Sequence, residues 1–473
     1  MSAWAGFSIT VVGSVLAPLL IGAALLRALG LSGAADWRLR YGAGYVVGHL
    51  AVAVLTATWL GLGQPGSVWW WLLAACAAAS WSLRPCARAG EAPQAAAEPA
   101  RGSSAVDWGL ILGVEVFLFD ALASRVYPVR RSDEADIWAA KAKVLFAAPG
   151  SEVSEGLHHF ALTGFYPSWN PLIQVLVYGC RGEVVHFDNR LPIQLFGVAL
   201  LLILASALRR RTNPWLGALV LAAIVGPLLR AIVAVVYSDL MLACAAALAG
   251  ESLLRWREDG RRAWWRLACV AMAGMLAAKN EGELLVPCLL AAAIVSALAG
   301  RAKSGAATAP SPVARGARAG GLGWALWLLL PVGAVVARRG FNAYYDLGSY
   351  LEAGGGGGVV ARFLRGLQDQ GAEVLAFFAE MSVDPSQHAL LLLLFPLAFL
   401  VAARQLGLRA ALAKPAGMLF AAWGAAMAGY LAVFVGTDSW QLYVAAPRVV
   451  SQVLPWAAVG CCAAVWPARG DRP

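Results

Sequence analysis

Between two long apolar blocks the chain reads Arg130-Arg131-Ser132-Asp133-Glu134-Ala135-Asp136-Ile137-Trp138, with Lys141 and Lys143 close behind. These carboxylates are crowded together in a chain whose apolar stretches are nearly free of acids. A carboxyl group just beyond the end of a membrane-crossing segment loses part of its hydration. That disfavours its ionised form and suits it to take a proton near neutral pH. The segment can therefore supply a general base, and a solvated charge cluster topping a helix is the competing reading. Farther along come Tyr166-Pro167-Ser168-Trp169-Asn170-Pro171, Asn189-Arg190-Leu191-Pro192, Tyr237-Ser238-Asp239 and Ala278-Lys279-Asn280-Glu281-Gly282. Near the end are Trp440-Gln441-Leu442, Pro447-Arg448 and Gln452-Val453-Leu454-Pro455. His158, His159, His186 and His388 lack ligand spacing, and the 8 cysteines sit mostly in or beside apolar blocks, so no protein metal site is expected.

The elements that must position these residues are helices in a membrane. Of 473 residues 60% are hydrophobic and 14% charged, where a soluble domain has about 25% charged; the mean hydropathy is +0.67. Apolar blocks of about 15 to 22 residues alternate with short arginine-rich punctuation, the pattern of an all-α polytopic membrane protein. A β-barrel, a disordered chain and a soluble multidomain enzyme are excluded. The net charge of +10 is dispersed between apolar blocks, as the positive-inside rule produces, so nucleic acid is not an expected partner. The first block lacks a basic n-region and a clear cleavage site and reads as an uncleaved span.

Arginine clusters sort the loops. Arg27, Arg38 and Arg40, then Arg84 to Arg101, Arg209 to Arg211, Arg255 to Arg262, Arg301 to Arg318, Arg404 to Lys414, and the tail are expected to be cytoplasmic. Alternation then works with about 13 transmembrane helices, N-terminus outside. The expected spans are 4–26, 41–59, 68–83, 108–122, 191–208, 215–236, 240–254, 267–278, 284–298, 322–336, 389–401, 418–435 and 449–465. One condition is that 171–178, only about 12 Å long as a helix, does not cross and is interfacial or re-entrant. The expected organisation is a three-span extension and cytoplasmic linker (1–106) and a membrane core (107–300) with an external loop at 125–190. A cytoplasmic linker (301–320) and a C-terminal membrane region (321–473) with an external loop at 338–385 follow. The glycine run Gly354 to Gly358 is either a mobile loop or a gating lid. All the polar motifs land on the external face of a threading fixed by arginines alone.

At these residues the sequence resembles the GT-C superfamily of membrane glycosyltransferases, which use polyprenyl-phosphate-linked sugars and include protein O-mannosyltransferases and the lipid A aminoarabinose transferase. Asp133-Glu134 resembles their acidic pair in a first external loop, Trp138 to Lys143 a Trp-x-x-Lys-Ala-Lys stretch, and Tyr166-Pro167 through Pro171 a His-Pro-x-Tyr-Pro segment lacking its histidine. Arg190-Leu191-Pro192, Asp239 and Lys279-Asn280-Glu281-Gly282 sit where members carry similar groups, with Ala278 where threonine is usual.

The resemblance implies a GT-C-like fold whose long first external loop, containing interfacial helices, is catalytic. It also implies transfer of a sugar from a polyprenyl-phosphate donor to a hydroxyl of a lipid, glycan or protein acceptor. Asp133 would be the base and Glu134 would orient it or the acceptor. Lys279 and Arg448 would hold the phosphate, and Asp136, Trp138, Lys141, Tyr166, Trp169, Asp239 and Glu281 would line the substrate site. No cofactor is required, and a divalent metal held partly by donor phosphate is compatible with the chemistry. An Ala-, Gly- and Arg-rich composition points to a bacterial inner membrane with the chemistry on the periplasmic face. A secondary transporter and a non-catalytic envelope-assembly subunit remain the alternatives.

Overall fold

The computed structural model describes residues 3–31, 36–84, 105–124, 133–148, 152–159, 165–228, 237–301, 323, 325–347, 359–388, 390–437 and 439–465. The glycine run, the interiors of both expected linkers and Arg125 to Ser132 lie outside these residues, as do the side chains of Asp133 and Glu134. Among the described residues every regular element is helical, as apolar surroundings require of a backbone that must satisfy its own hydrogen bonds.

Three helices open the chain: α1 (Trp4–Ala28), α2 (Trp37–Gly61) and α3 (Val68–Leu83). After α4 (Ala105–Ser124), a π-helical turn at Asp133–Ala139 leads into α5 (Ala140–Ala147), followed by α6 (Glu152–His159) and α7 (Trp169–Arg181). The core continues with α8 (Asp188–Arg211), α9 (Pro214–Leu228), α10 (Ser238–Asp259), α11 (Arg262–Ala278) and α12 (Gly282–Arg301). Beyond these lie α13 (Leu329–Tyr344), α14 (Val359–Val383), α15 (Leu391–Leu406), α16 (Pro415–Val435), α17 (Ser439–Ser451) and α18 (Leu454–Val465).

Among the described residues five helices are long and apolar enough to cross a membrane: α1, α2, α8, α12 and α16. A sixth is added if α17 and α18, which meet at a 49° bend, count as one. The α1–α2 pair is built on small residues. A Cβ on Gly22 would lie 1.8 Å from the Gly44 carbonyl oxygen, and one on Gly48 equally close to that of Pro18. Such backbone-to-backbone contact is how helices associate where lipid removes the hydrophobic drive between them.

Charges collect at the two ends of this bundle. At one end Arg38 and Arg209 share Asp107, Arg211 reaches Glu251 at 2.6 Å and Glu258 at 2.9 Å, and Arg255 reaches Glu251 at 2.5 Å. Ser206 joins them, accepting from Arg255 and donating to Asp36. Arginines from three separate loops expected on one side thus converge. Asp239 lies about 18 Å along α10 from Glu251 by helix rise, at the other end.

The apolar run 171–178 lies in α7, a 13-residue helix that measures about 20 Å and is too short to cross. It is buried, with Val175, Leu176, Val177 and Tyr178 at 0% exposure. It packs under the first three helices: a Cβ on Gly179 would touch Val68 and Trp59, and the Arg181 guanidinium lies on Gly6. The N-terminal helices therefore join the core, and Tyr45 on α2 donates to the Pro192 carbonyl at 2.7 Å.

This arrangement fixes which residues share an end of the bundle. Ser67 and Glu183 are exposed near the α7 end, and Ser82 and Gln405 are exposed near the arginine end. Single cysteines at Ser67 and Glu183 should react with an impermeant thiol reagent added outside intact cells, and those at Ser82 and Gln405 only after permeabilisation. The reverse pattern would invert the expected orientation.

Candidate functional site

Asp239 stands in the first turn of α10, after Tyr237 in extended conformation, where the positive end of the helix dipole favours a carboxylate. It is 1% exposed. Lys279 follows the last residue of α11 with an extended backbone, which aims its ammonium across the helix end. Its Nζ donates to Asp239 Oδ1 at 2.8 Å and pairs with Glu281 at 2.8 Å. Gln452, at the break between α17 and α18, donates to the same Asp239 oxygen at 2.6 Å and accepts from the Tyr430 hydroxyl at 3.1 Å. Arg448 stands 3.8 Å from the other carboxylate oxygen, its guanidinium 4.4 Å above the Tyr237 ring.

Electrostatics follow from this packing. Burial by itself would raise the Asp239 carboxyl, but the charges of Lys279 and Arg448, with the hydrogen bonds from Lys279 and Gln452, hold it below its ordinary value. Burial by itself would lower Lys279, but the Asp239 and Glu281 carboxylates hold it above its ordinary value. Both groups therefore stay charged at neutral pH.

An aromatic layer adjoins the cluster. Trp138, on the π turn, packs with Ile137, Tyr166 and Tyr237, its ring 5.2 Å from that of Tyr166 at 63°. Lys141 on α5 is buried. It donates to the Tyr166 carbonyl at 2.6 Å and sits 4.9 Å above the Phe341 ring of α13. Burial, reinforced by the charge of Arg338, pushes the Lys141 ammonium down to about 7. Arg338 donates to Asn280 at 3.0 Å and pairs with Glu283, which ties α13 to the loop that carries Lys279.

The structure thus gathers Trp138, Lys141, Tyr166, Asp239, Lys279, Glu281 and Arg448 around one end of α10. Asp136 is exposed on the same π turn that Asp133 and Glu134 begin. Trp169 lies elsewhere: its indole is buried edge-on against Phe196 at 5.4 Å and covers Gly274 in the core. Glu115 is exposed on α4. Sequence reasoning passed over Gln452, Tyr430, Tyr237, Arg338 and Glu283 as site residues. Gln452 carried a signal, being an amide between Pro447 and Pro455 in an apolar block, whereas a lone tyrosine such as Tyr430 in a span carried none. Among the described residues no group of three or more His, Cys, Asp and Glu side chains could hold a metal ion. Comparisons with family models, curated proteins and solved structures return no match.

Two measurements probe this packing. Lys279→Met leaves the Asp239 carboxylate with one close cation fewer, and a broken buried pair costs about 3–5 kcal/mol. Adding Asp239→Asn should recover a large part of that loss in detergent unfolding, and strictly additive losses would show that the pair is not coupled. Lys141 gives a pH signature. Because its folded value lies near 7 and its unfolded value near 10.4, the unfolded chain binds more protons between those limits. Stability should therefore rise with pH from about 7 to 10, by at most about 1.4 kcal/mol per unit. Lys141→Met should flatten the slope; an unchanged slope would assign it to other groups.

Proposed function

We propose that the chain is a membrane glycosyltransferase that moves a sugar from a polyprenyl-phosphate donor to an acceptor hydroxyl. In this reading the expected 13-helix, GT-C-like architecture places the reaction at the periplasmic face of a bacterial inner membrane. The observation that carries it is the buried Asp239–Lys279–Gln452 constellation with Arg448, set beside Trp138 and Tyr166, which follow the Asp133-Glu134 segment in the chain.

The chemistry needs a base for the acceptor and positive charge for the departing phosphate. Asp239 is ill suited to be the base, because a carboxyl held ionised by two cations is a weak proton acceptor. Its role is to position Lys279 and Arg448. The base then falls to Asp133, with Glu134 beside it. As the acceptor oxygen bonds to the anomeric carbon, Asp133 takes its proton. The bond from that carbon to the phosphate oxygen breaks, and polyprenyl phosphate leaves with the electron pair. Preorganised cations in a water-poor setting stabilise the developing charge more than they would in bulk water. The aromatic layer of Trp138, Tyr166 and Tyr237 offers the sugar a wall, and any divalent metal would arrive with the donor phosphate.

One observation favours a transporter: the bend between α17 and α18 places a polar side chain at a helix break, as broken helices do around transported solutes. Release of product separates the readings. Purified protein given a labelled polyprenyl-phosphate sugar and a panel of acceptors should release free lipid phosphate, whereas a transporter would leave the donor intact. Asp133→Asn should slow transfer by at least about 10²-fold while donor binding persists. Arg448→Gln should weaken donor binding about 10- to 100-fold, the equivalent of one charge-assisted hydrogen bond. Wild-type turnover in Asp133→Asn would remove the proposed mechanism.

A further inference from the structure

At the arginine end of the bundle, about 25 Å by helix rise from Lys279, the first turn of α11 opens a groove of about 90 Å³ lined by Arg262, Trp265, Arg266, Gly323 and Trp327. Its charge pattern differs from that of the ion-paired arginine cluster at the same end. Arg38, Arg209, Arg210, Arg211 and Arg255 each meet a carboxylate. Arg262 and Arg266 meet none among the described residues. The guanidinium of Arg266 lies 5.5 Å above the Trp327 ring, and Arg262 is exposed at the helix start.

This placement is unfavourable for the protein alone. Cations at a helix N-terminus add to its positive dipole end and to amide N–H groups that lack helical acceptors. Arg261, the N-cap residue, supplies no side-chain acceptor for them, and the nearby Asp259 carboxylate is taken up by the Arg261 N–H at 3.1 Å and the Trp264 indole at 2.8 Å, leaving more cations than anions at this helix start. An anion would relieve the excess charge, and the groove has two features that select its kind. Its walls include the tryptophans Trp265 and Trp327, a residue type that settles at the headgroup level of membranes. The groove also opens at the end of a membrane helix bundle, where lipid is the anion most abundant within reach. Basic pockets between helices on such a face bind anionic headgroups.

We propose that this groove is a binding site for the phosphodiester headgroup of an anionic phospholipid, held by Arg262 and Arg266 between Trp265 and Trp327. The site is remote from the Asp239 cluster and independent of what that cluster does. The lipid would neutralise the start of α11 and fasten Trp327, and with it the start of α13, against α11.

Full-length protein reconstituted in nanodiscs of mixed phosphatidylglycerol and phosphatidylcholine, then released for native mass spectrometry, tests this. The wild type should retain phosphatidylglycerol in preference to phosphatidylcholine. Arg262→Gln with Arg266→Gln should lower that preference by about five-fold for each arginine. Thermal unfolding in phosphatidylcholine alone should stay unchanged, showing that the variant is folded. Arg404→Gln with Arg409→Gln, exposed arginines on the same end, should leave the preference intact. Equal retention by the Arg262/Arg266 variant, or equal loss in the Arg404/Arg409 variant, would overturn the site in favour of diffuse attraction. Displacement of the lipid by millimolar inorganic phosphate would overturn it in favour of a soluble anion.

Discussion

A charge removed from water persists only beside its opposite, and α10 is the element on which that constraint falls most heavily. Its early turns, from Leu240 to Ala246, are at most 1% exposed, yet it carries Asp239 before that stretch and Glu251 and Arg255 beyond it. Each carboxylate sets the depth of another helix. Asp239 brings the end of α11 and the α17–α18 break to its own level through Lys279 and Gln452. Glu251 brings the end of α8 to the opposite level through Arg211. Sliding any of these helices by one turn, about 5.4 Å, would strand a charge in apolar surroundings. The register of the bundle is in this sense electrostatic, while its tightness comes from small residues.

The bend between α17 and α18 follows from the same demand. A helix that breaks in apolar surroundings exposes backbone groups, and the break is tolerable where they find other partners. Gln452 N–H bonds Val449 at 3.2 Å and Val453 N–H bonds Val450 at 3.1 Å, tightened turns that absorb the change of direction. The Ser451 hydroxyl donates to the Arg448 carbonyl at 2.6 Å. With the backbone satisfied locally, the Gln452 side chain bridges Tyr430 and Asp239 and so ties α16 to α10.

Much of this was legible in the chain because hydropathy and arginine placement are one-dimensional signals of a one-dimensional solvent gradient. Among the described residues five of the expected spans, 4–26, 41–59, 191–208, 284–298 and 418–435, fall on helices long and apolar enough to cross a membrane, and Asp239, Lys279, Glu281 and Arg448, drawn from three separate stretches of the chain, were grouped by sidedness alone and do meet. What sidedness cannot supply is azimuth. Trp169 and Tyr166 are three residues apart, yet Tyr166 faces Trp138 whereas Trp169, the first residue of α7, turns into the core against Phe196. The role of Arg338 was hidden for the same reason. It was legible as a loop boundary, but its pairing with Glu283 depends on where α13 packs against α11. Lys141 was expected from a motif to line the substrate site, and the structure shows it buried beneath Phe341.

The geometry also sets in opposite surroundings two carboxylates that composition alone treats alike. Asp239 is rigidly held, hydrogen-bonded on one oxygen by both Lys279 and Gln452 and faced on the other by Arg448, so its proton affinity is spent on holding cations in place. Asp136 is exposed on a π turn, a winding that inserts an extra residue and recurs at functional sites. A proton acceptor needs the opposite surroundings from a cation anchor: few cations, access to the incoming hydroxyl, and freedom to lose its partner on each cycle. If both tasks fell to one side chain, every gain in phosphate binding through Lys279 and Arg448 would make it a weaker base. Under the proposed mechanism, separating them, with Asp239 anchored in α10 and Asp133 as the base on the turn before α5, would let each be tuned without undoing the other. The Trp138, Tyr166 and Tyr237 cluster spans the two parts, since Trp138 belongs to the turn and Tyr237 immediately precedes the helix that carries Asp239.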